Sequence, residues 1–336
     1  MLATCAWCDA PRGPGPKCAS CGAVYAKAEA LRAGAVAPGP PAAPMDDVAA
    51  PPLATTPGDD LAAPAGWEPP EAGPAFDGRA DELRLEWRLR LGAVPAALAL
   101  AALFHHWPLG HFLQRTFLSM MVHESGHAVT SWLCGFAAFP GLWVTYTAEA
   151  RGWPIVLLVA AAGAWLIVAG RRARRAAWTW AGAVVLSLQL AGTLLASPRT
   201  AQALIVFGGD GGALVLGTLL MSSFFCGRDT QVYRGQLRWG FLVIGASAFV
   251  DTFATWWAAL TDLDAVPFGE IEGVGLSDPS KLTQVYGWAM HAMVHRYVAL
   301  GIACLLTLAV TWGLGVAAAR GERLAHERTK GAVALP

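Results

Sequence analysis

The sequence predicts an all-α polytopic membrane protein with about seven transmembrane helices, one candidate re-entrant β segment and a small N-terminal zinc ribbon. Of the 336 residues, 55% are hydrophobic and 14% are charged, which lies outside the range of a soluble globular protein. Apolar runs recur, each close to the roughly 20 residues that cross a bilayer. The formal net charge is zero and no basic run is interleaved with aromatic residues, so no nucleic-acid partner is expected.

Residues 1–32 form the predicted ribbon. Cys5 and Cys8 make one Cys-x2-Cys knuckle, and Cys18 and Cys21 make a second one after a short Pro/Gly-rich spacer. Four thiolates at this spacing are typical of a tetrahedral structural zinc site. The alternative, two disulfides, requires an oxidising compartment, and the extreme N-terminus lacks the pattern of a cleavable signal peptide. We therefore expect a zinc-binding module in the cytoplasm, where it recruits or senses a protein partner.

A proline-rich linker over residues 33–80 separates the ribbon from the membrane domain. Residues 33–76 hold 11 of the 22 prolines, with Ala, Gly and acidic residues between them. Such a composition cannot bury a core, so the linker is predicted to be disordered and stiffened by polyproline-like stretches.

The membrane domain is predicted over residues 81–318, with a cytoplasmic tail over 319–336. It opens with an amphipathic segment, Asp81 to Arg90, whose arginines favour an anionic inner leaflet. The expected location is a cell or inner membrane, with several passes. The predicted spans lie at about 91–107, 112–134, 153–170, 176–196, 203–226, 239–260 and 287–316.

Arginine clusters orient these spans, because loops rich in Lys and Arg stay in the cytoplasm. On this rule the acidic loop from Thr261 to Asp278 faces outward, but two helices before residue 152 leave that residue on the wrong side. Phe136 to Thr147 is too short for an ordinary spanning helix and favours β structure. Either this segment re-enters the membrane as a strand or hairpin and changes the parity, or one arginine cluster disobeys the rule.

The second predicted span carries the most informative motif, His123-Glu124-Ser125-Gly126-His127. On a helix, His123 and His127 lie four residues apart on one face, and both can coordinate one zinc ion. Glu124 then lies beside the metal as a general base that activates water. The alternative is a pair of histidines that only pack between helices.

A catalytic zinc typically has three protein ligands, so one more is needed. Asp210 is the first candidate, because it is the only charged residue between Arg199 and Arg228. The glycines on both sides of it permit a break in the helix and a close approach of the backbone to a metal or peptide. The alternative is that Asp210 caps a helix over 211–226.

The motif at residues 123–127, followed by Asp210-Gly211-Gly212 in a later helix, resembles the site-2 protease family of intramembrane zinc metalloproteases. The resemblance covers roughly residues 112–226. It implies that His123, His127 and Asp210 bind catalytic zinc, that Glu124 activates water, and that a transmembrane substrate is cut within the bilayer. It also implies a β element after the first motif.

Ionisable groups within apolar spans are functional candidates by default. Asp251 is the rival third ligand, or it forms an ion pair with Arg296 across two helices. Arg296 could alternatively stabilise an oxyanion. His291 and His295 repeat the four-residue spacing without an acid between them. Their alternatives are to orient the metal ligands as hydrogen-bond partners, to form a second metal site, or to pack as core residues. The histidines expected as anchors at the lipid headgroups are His105, His106 and His111.

Together these features predict a zinc metalloendopeptidase that acts on a transmembrane or membrane-tethered protein substrate. It would hold one catalytic and one structural zinc ion. The alternative is a non-enzymatic membrane receptor or scaffold, in which the ribbon recruits a cytoplasmic partner and the intramembrane polar groups hold helices together or bind a structural ion.

Overall fold

The computed structural model describes residues 4, 5, 10–20, 25, 78–271 and 275–333 of the chain. It divides into two compact units, Met1–Gly73 and Pro74–Pro336. Residues 33–77 of the predicted linker lie outside the described residues, and residues 78–80 are helical.

The structure describes two of the four ribbon cysteines, and both are buried. Cys5 and Cys18 pack beside Tyr25, and the backbone N–H of Cys5 donates to the carbonyl oxygen of Ala10 at 2.8 Å. Cys8 and Cys21 lie outside the described residues, so the structural zinc site stays a prediction.

The second unit is mainly helical and contains two small antiparallel sheets. Its helices are α1 (Gly78–His106), α2 (Pro108–Leu113), α3 (Met120–Leu133), α4 (Trp153–Arg172), α5 (Ala176–Leu190), α6 (Pro198–Ser222), α7 (Gln231–Arg234), α8 (Leu237–Ala258), α9 (Asp278–Ser280) and α10 (Met290–Val333). The strands are β1 (Phe136–Pro140), β2 (Thr145–Arg151), β3 (Glu270–Ile271) and β4 (Gly275–Leu276). A π-helical turn, Gln114–Ser119, joins α2 to α3.

Within the described residues, six helices are long and apolar enough to cross a membrane. These are Gly78–His106, Trp153–Arg172, Ala176–Leu195, Pro198–Phe225, Leu237–Ala258 and Met290–Lys330. The predicted span over 112–134 is not among them; it consists of the end of α2, the π-helical turn and α3. The predicted amphipathic segment forms the first turns of α1, and the predicted tail continues α10 as far as Val333.

Polar contacts gather four parts of the chain at one end of the bundle, which we call the arginine-rich end. Arg238 donates to the buried carboxylate of Glu86 at 2.9 Å, so the start of α8 meets the start of α1. The other contacts at this end are Arg90 with Glu86, Arg228 with Glu82, Arg175 with Asp229, and Arg323 over the ring of Trp87.

The helix that carries the histidine motif does not run from one end of the bundle to the other. It begins part way along α8, where His111 contacts Asp251 at 2.9 Å and the Gln114 amide donates to the Ser247 carbonyl at 3.0 Å. It finishes at the end opposite the arginine-rich end, where the Thr193 hydroxyl donates to the carbonyl of Leu133 at 3.1 Å. Because this helix crosses only part of the bundle, it does not return the chain to the arginine-rich end. The next helix, α4, therefore starts at the opposite end.

The segment between α3 and α4 is an antiparallel hairpin, as the sequence predicted. Strand β1 pairs with β2, with Ala138 opposite Thr147 and Pro140 opposite Thr145. The N–H of Gly152 donates to the carbonyl of Gly135 at 2.9 Å, so the hairpin returns to the point where it began. It does not change the side on which α4 starts.

Glycines bring α3 and α6 into close contact. A Cβ atom at Gly212 would collide with the backbone of Gly126, and one at Gly126 would collide with the carbonyl of Gly208. Small residues at such crossings let helix backbones approach closely in membranes. The predicted break at these glycines is wrong, because α6 is continuous and begins at Pro198. For the same reason Asp210 does not cap a helix.

Candidate active site

The motif helix α3 presents His123 and His127 to one point. Their rings lie 4.7 Å apart between centroids, and their Nε2 atoms are separated by 3.1 Å. This follows from the four-residue spacing, which places both side chains on one helical face.

A carboxylate from a distant part of the chain completes this cluster. Asp278 begins the short helix α9, and its Oδ2 lies 2.9 Å from Nε2 of His127 and 3.2 Å from Nε2 of His123. Burial opposes ionisation of Asp278, but hydrogen bonds from the two imidazoles outweigh it and hold the pKa of Asp278 well below its usual range. The residue is therefore an ionised carboxylate beside two nitrogens.

Helix α6 holds the outer nitrogens of both imidazoles. Nδ1 of His123 donates to Oδ1 of Asp210 at 2.9 Å, and Nδ1 of His127 donates to the carbonyl of Ile205 at 2.7 Å. When a metal ion takes the place of the Nε2 protons that face Asp278, the proton that each imidazole keeps on Nδ1 leaves its Nε2 lone pair for the ion. Carboxylate and carbonyl partners of this kind orient histidine ligands in metal sites.

Asp210 therefore contacts Nδ1 of His123, the ring nitrogen that does not face Asp278. Asp278 lies beside both Nε2 atoms, where the sequence had predicted Asp210. The second oxygen of Asp210, Oδ2, accepts from the indole N–H of Trp256 at 2.9 Å. Trp256 is completely buried, and its ring stacks on Tyr297 with centroids 4.0 Å apart. These contacts fix the carboxylate of Asp210 in place.

The donor set fits a zinc ion. Tetrahedral zinc with bonds of about 2.0–2.2 Å requires ligand atoms about 3.3 Å apart, and Nε2 of His123, Nε2 of His127 and Oδ2 of Asp278 are separated by 2.9 to 3.2 Å. Two neutral imidazoles and one carboxylate are also a ligand set that zinc uses.

All three ligand candidates line a cavity of about 740 Å³, and so does Glu124. Glu124 is buried, and its backbone carbonyl accepts from the hydroxyl of Thr145 at 2.8 Å, which fixes strand β2 against the motif helix. The cavity is bounded by α3, the tip of the β1–β2 hairpin and the loop before α9. Its other lining residues include Arg115, Trp143, Val144, Phe268, Glu270 and Lys281. A metal ion held by these three residues would therefore have a fourth position that is reachable from the cavity.

Asp251 belongs to a different cluster. Its oxygens lie 2.9 Å from Nε2 of His111 and 3.3 Å from Arg115. The predicted pair with Arg296 is wrong, because the guanidinium of Arg296 lies over the ring of Trp288 at 4.3 Å.

His291 and His295 touch each other, with ring centroids 4.7 Å apart. Both are exposed, as is Arg296, and none of the three lines the cavity. The predictions that place them beside the catalytic metal or in the core do not match these positions.

The sequence reasoning missed Asp278 and Trp256. Asp278 was assigned to the acidic outer loop, because only ionisable groups inside apolar spans were considered as ligands. A usable signal is present in the sequence, since Ser277-Asp278-Pro279 places an acid in the first turn of a helix that Pro helps to begin.

No protein-family model, curated protein or solved structure matches this chain.

Proposed function

We propose that this protein is an intramembrane zinc endopeptidase that hydrolyses a transmembrane or membrane-tethered protein. One observation carries the proposal: His123, His127 and Asp278 place three ligand atoms within 3.2 Å of one another, in a cavity that Glu124 also lines. Helix α6, which lines this cavity through Ile205, Val206 and Asp210, is one of the helices long and apolar enough to cross a membrane.

In this proposal Asp278 is the third zinc ligand, and Asp210 is a positioning residue. Asp210 accepts a hydrogen bond from Nδ1–H of His123, which keeps the Nε2 lone pair directed at the metal and raises the basicity of the ligand. The role given to Asp210 by the resemblance to site-2 proteases thus passes to a residue 68 positions later in the chain.

The chemistry proposed is hydrolysis of a peptide bond. Zinc at this position supplies the Lewis acidity that the reaction needs. Glu124 accepts a proton from the attacking water and returns it to the nitrogen of the leaving amine.

We place the arginine-rich end of the bundle in the cytoplasm, because loops rich in Arg are retained there. Six crossings then put both the start of α1 and the end of α10 on that side, in a cell or inner membrane. The N-terminal ribbon, with zinc on Cys5, Cys8, Cys18 and Cys21, would recruit a cytoplasmic partner. Asp278 and its loop approach the site from the opposite side.

The decisive variant is Glu124→Gln, with Glu149→Gln as its matched control, because Glu149 is an exposed carboxylate on strand β2. Removal of a general base costs about 10²–10⁴-fold in rate. Membrane fractions from cells that express each form would be compared by mass spectrometry for newly formed peptide termini. We expect these termini with the wild type and Glu149→Gln, and their loss with Glu124→Gln at unchanged zinc content.

Identical peptide termini in all three samples, with zinc retained, would refute the proposal that this protein is a peptidase. That result would favour the receptor or scaffold, in which the ion only holds helices together.

A further inference from the structure

A second cluster of metal-binding side chains lies where the α1–α2 turn meets α8. Nδ1 of His105 and Nε2 of His111 lie 3.6 Å and 2.9 Å from Oδ1 of Asp251. One ligand atom from each residue lies within 4.8 Å of the other two. The rings of His105 and His111 are 4.5 Å apart between centroids, so both imidazoles converge on one carboxylate oxygen.

Hydrogen bonding accounts for His111 and Arg115, which contact Asp251 at 2.9 Å and 3.3 Å, but not for His105. Nδ1 of His105 is buried and has no hydrogen-bond partner among the described residues, and its 3.6 Å distance to Asp251 is too long for a hydrogen bond. A buried polar atom without a partner destabilises the folded state. Coordination of one cation by all three residues would give this nitrogen a partner.

We propose that His105, His111 and Asp251 bind a second divalent transition-metal ion, with zinc as the ion to test. Two imidazoles and a carboxylate suit such a cation. Arg115 leaves Oδ1 free for the metal, because it contacts the other oxygen, Oδ2, at 3.3 Å.

This site is separate from the candidate active site. His111 precedes His123 by 12 positions, which corresponds to about 18 Å along a helix. Paired catalytic metals lie about 3.5–4 Å apart, so the two ions would not share a substrate. The second ion would instead fasten the α1–α2 turn to α8.

The site also has a physical link to the active-site cavity. Arg115 pairs with Asp251 and lines that cavity. An ion bound to Asp251 would therefore hold in place the carboxylate with which Arg115 forms its ion pair. We infer that the second metal positions the N-terminal half of the motif helix.

The test is the zinc content of the purified full chain, supplied with zinc alone and measured by mass spectrometry of the metal. We expect His111→Ala and Asp251→Asn each to lose one equivalent of zinc per chain. His291→Ala is the matched control, because His291 is an exposed member of a histidine pair on α10, and it should retain all its zinc.

The same variants made in a His123→Ala, His127→Ala chain separate this proposal from the proposed function. In that chain, His111→Ala and Asp251→Asn should each still lower the zinc content by one equivalent. This holds whether or not His123→Ala and His127→Ala have themselves removed any zinc. Thermal unfolding checks that the variants fold, and added zinc should raise the Tm of the His123→Ala, His127→Ala chain but not that of the same chain with His111→Ala. Equal zinc content in His111→Ala and His291→Ala, or an equal rise in Tm, would overturn the second site.

Discussion

The substitution Gly209→Ala tests the geometry of the candidate active site directly. A Cβ atom at position 209 would lie 2.5 Å from Nε2 of His127 and 2.6 Å from Nε2 of His123. A zinc ion bound to these nitrogens lies about 2.0–2.1 Å from each. The new methyl group would therefore either push the two ligand nitrogens out of position or occupy the space that the ion needs.

The expected loss is in metal binding and not in folding. Alanine is favoured over glycine inside a helix by about 1 kcal/mol, and overpacking of a core costs about 1–3 kcal/mol. These two effects partly cancel, so the free energy of unfolding should change by no more than about 2 kcal/mol. Zinc affinity should fall by more than the ~10–100-fold that loss of an outer hydrogen-bond partner costs.

The assay is equilibrium dialysis against buffered zinc, combined with thermal unfolding in the same detergent. Gly313→Ala is the matched control, because Gly313 lies on α10 and a Cβ there would meet no atom within 4 Å. We expect Gly313→Ala to bind zinc as the wild type does. Wild-type zinc affinity in a folded Gly209→Ala protein would show that the ion does not lie between these imidazoles.

Two further predictions concern the ligands and the bundle. Asp278→Ala should abolish zinc binding at the proposed active site. Asp210→Ala should lower the zinc affinity there by about 10–100-fold, so that a high zinc concentration restores binding. A zinc titration in which Asp210→Ala loses more affinity than Asp278→Ala would make Asp210 the ligand. Glu86→Ala should destabilise the bundle by about 3–5 kcal/mol, because it leaves the charges of Arg90 and Arg238 uncompensated. Glu82→Ala, which breaks an exposed pair, should cost about 0–1 kcal/mol, and similar losses in thermal unfolding would contradict a buried role for Glu86.

The local patterns of this chain were predictable from sequence. The histidine motif lies on a helix, as its spacing indicated, and Phe136 to Thr147 falls in a β hairpin. Both depend on periodicity within a few residues, which a single sequence shows directly.

The long-range contacts were not predictable in the same way. Asp251 lies in an apolar run, and nothing in the sequence indicates that its partners come from the α1–α2 turn and not from α10. The glycines around Asp210 illustrate a second difficulty. The same residues suit a broken helix or a tight crossing of two helices, and only the neighbouring Gly126 decides for the crossing.

The candidate ligands also lie far apart in the order of synthesis. His123 and Asp278 are separated by 155 positions, and five of the six long apolar helices precede Asp278. A nascent chain that has produced the histidine motif, and even most of the bundle, still lacks one ligand. On the proposed function, the protein is therefore inactive during its own biogenesis. It becomes active only when the segment between α8 and α10, which carries Asp278, has folded against the other helices.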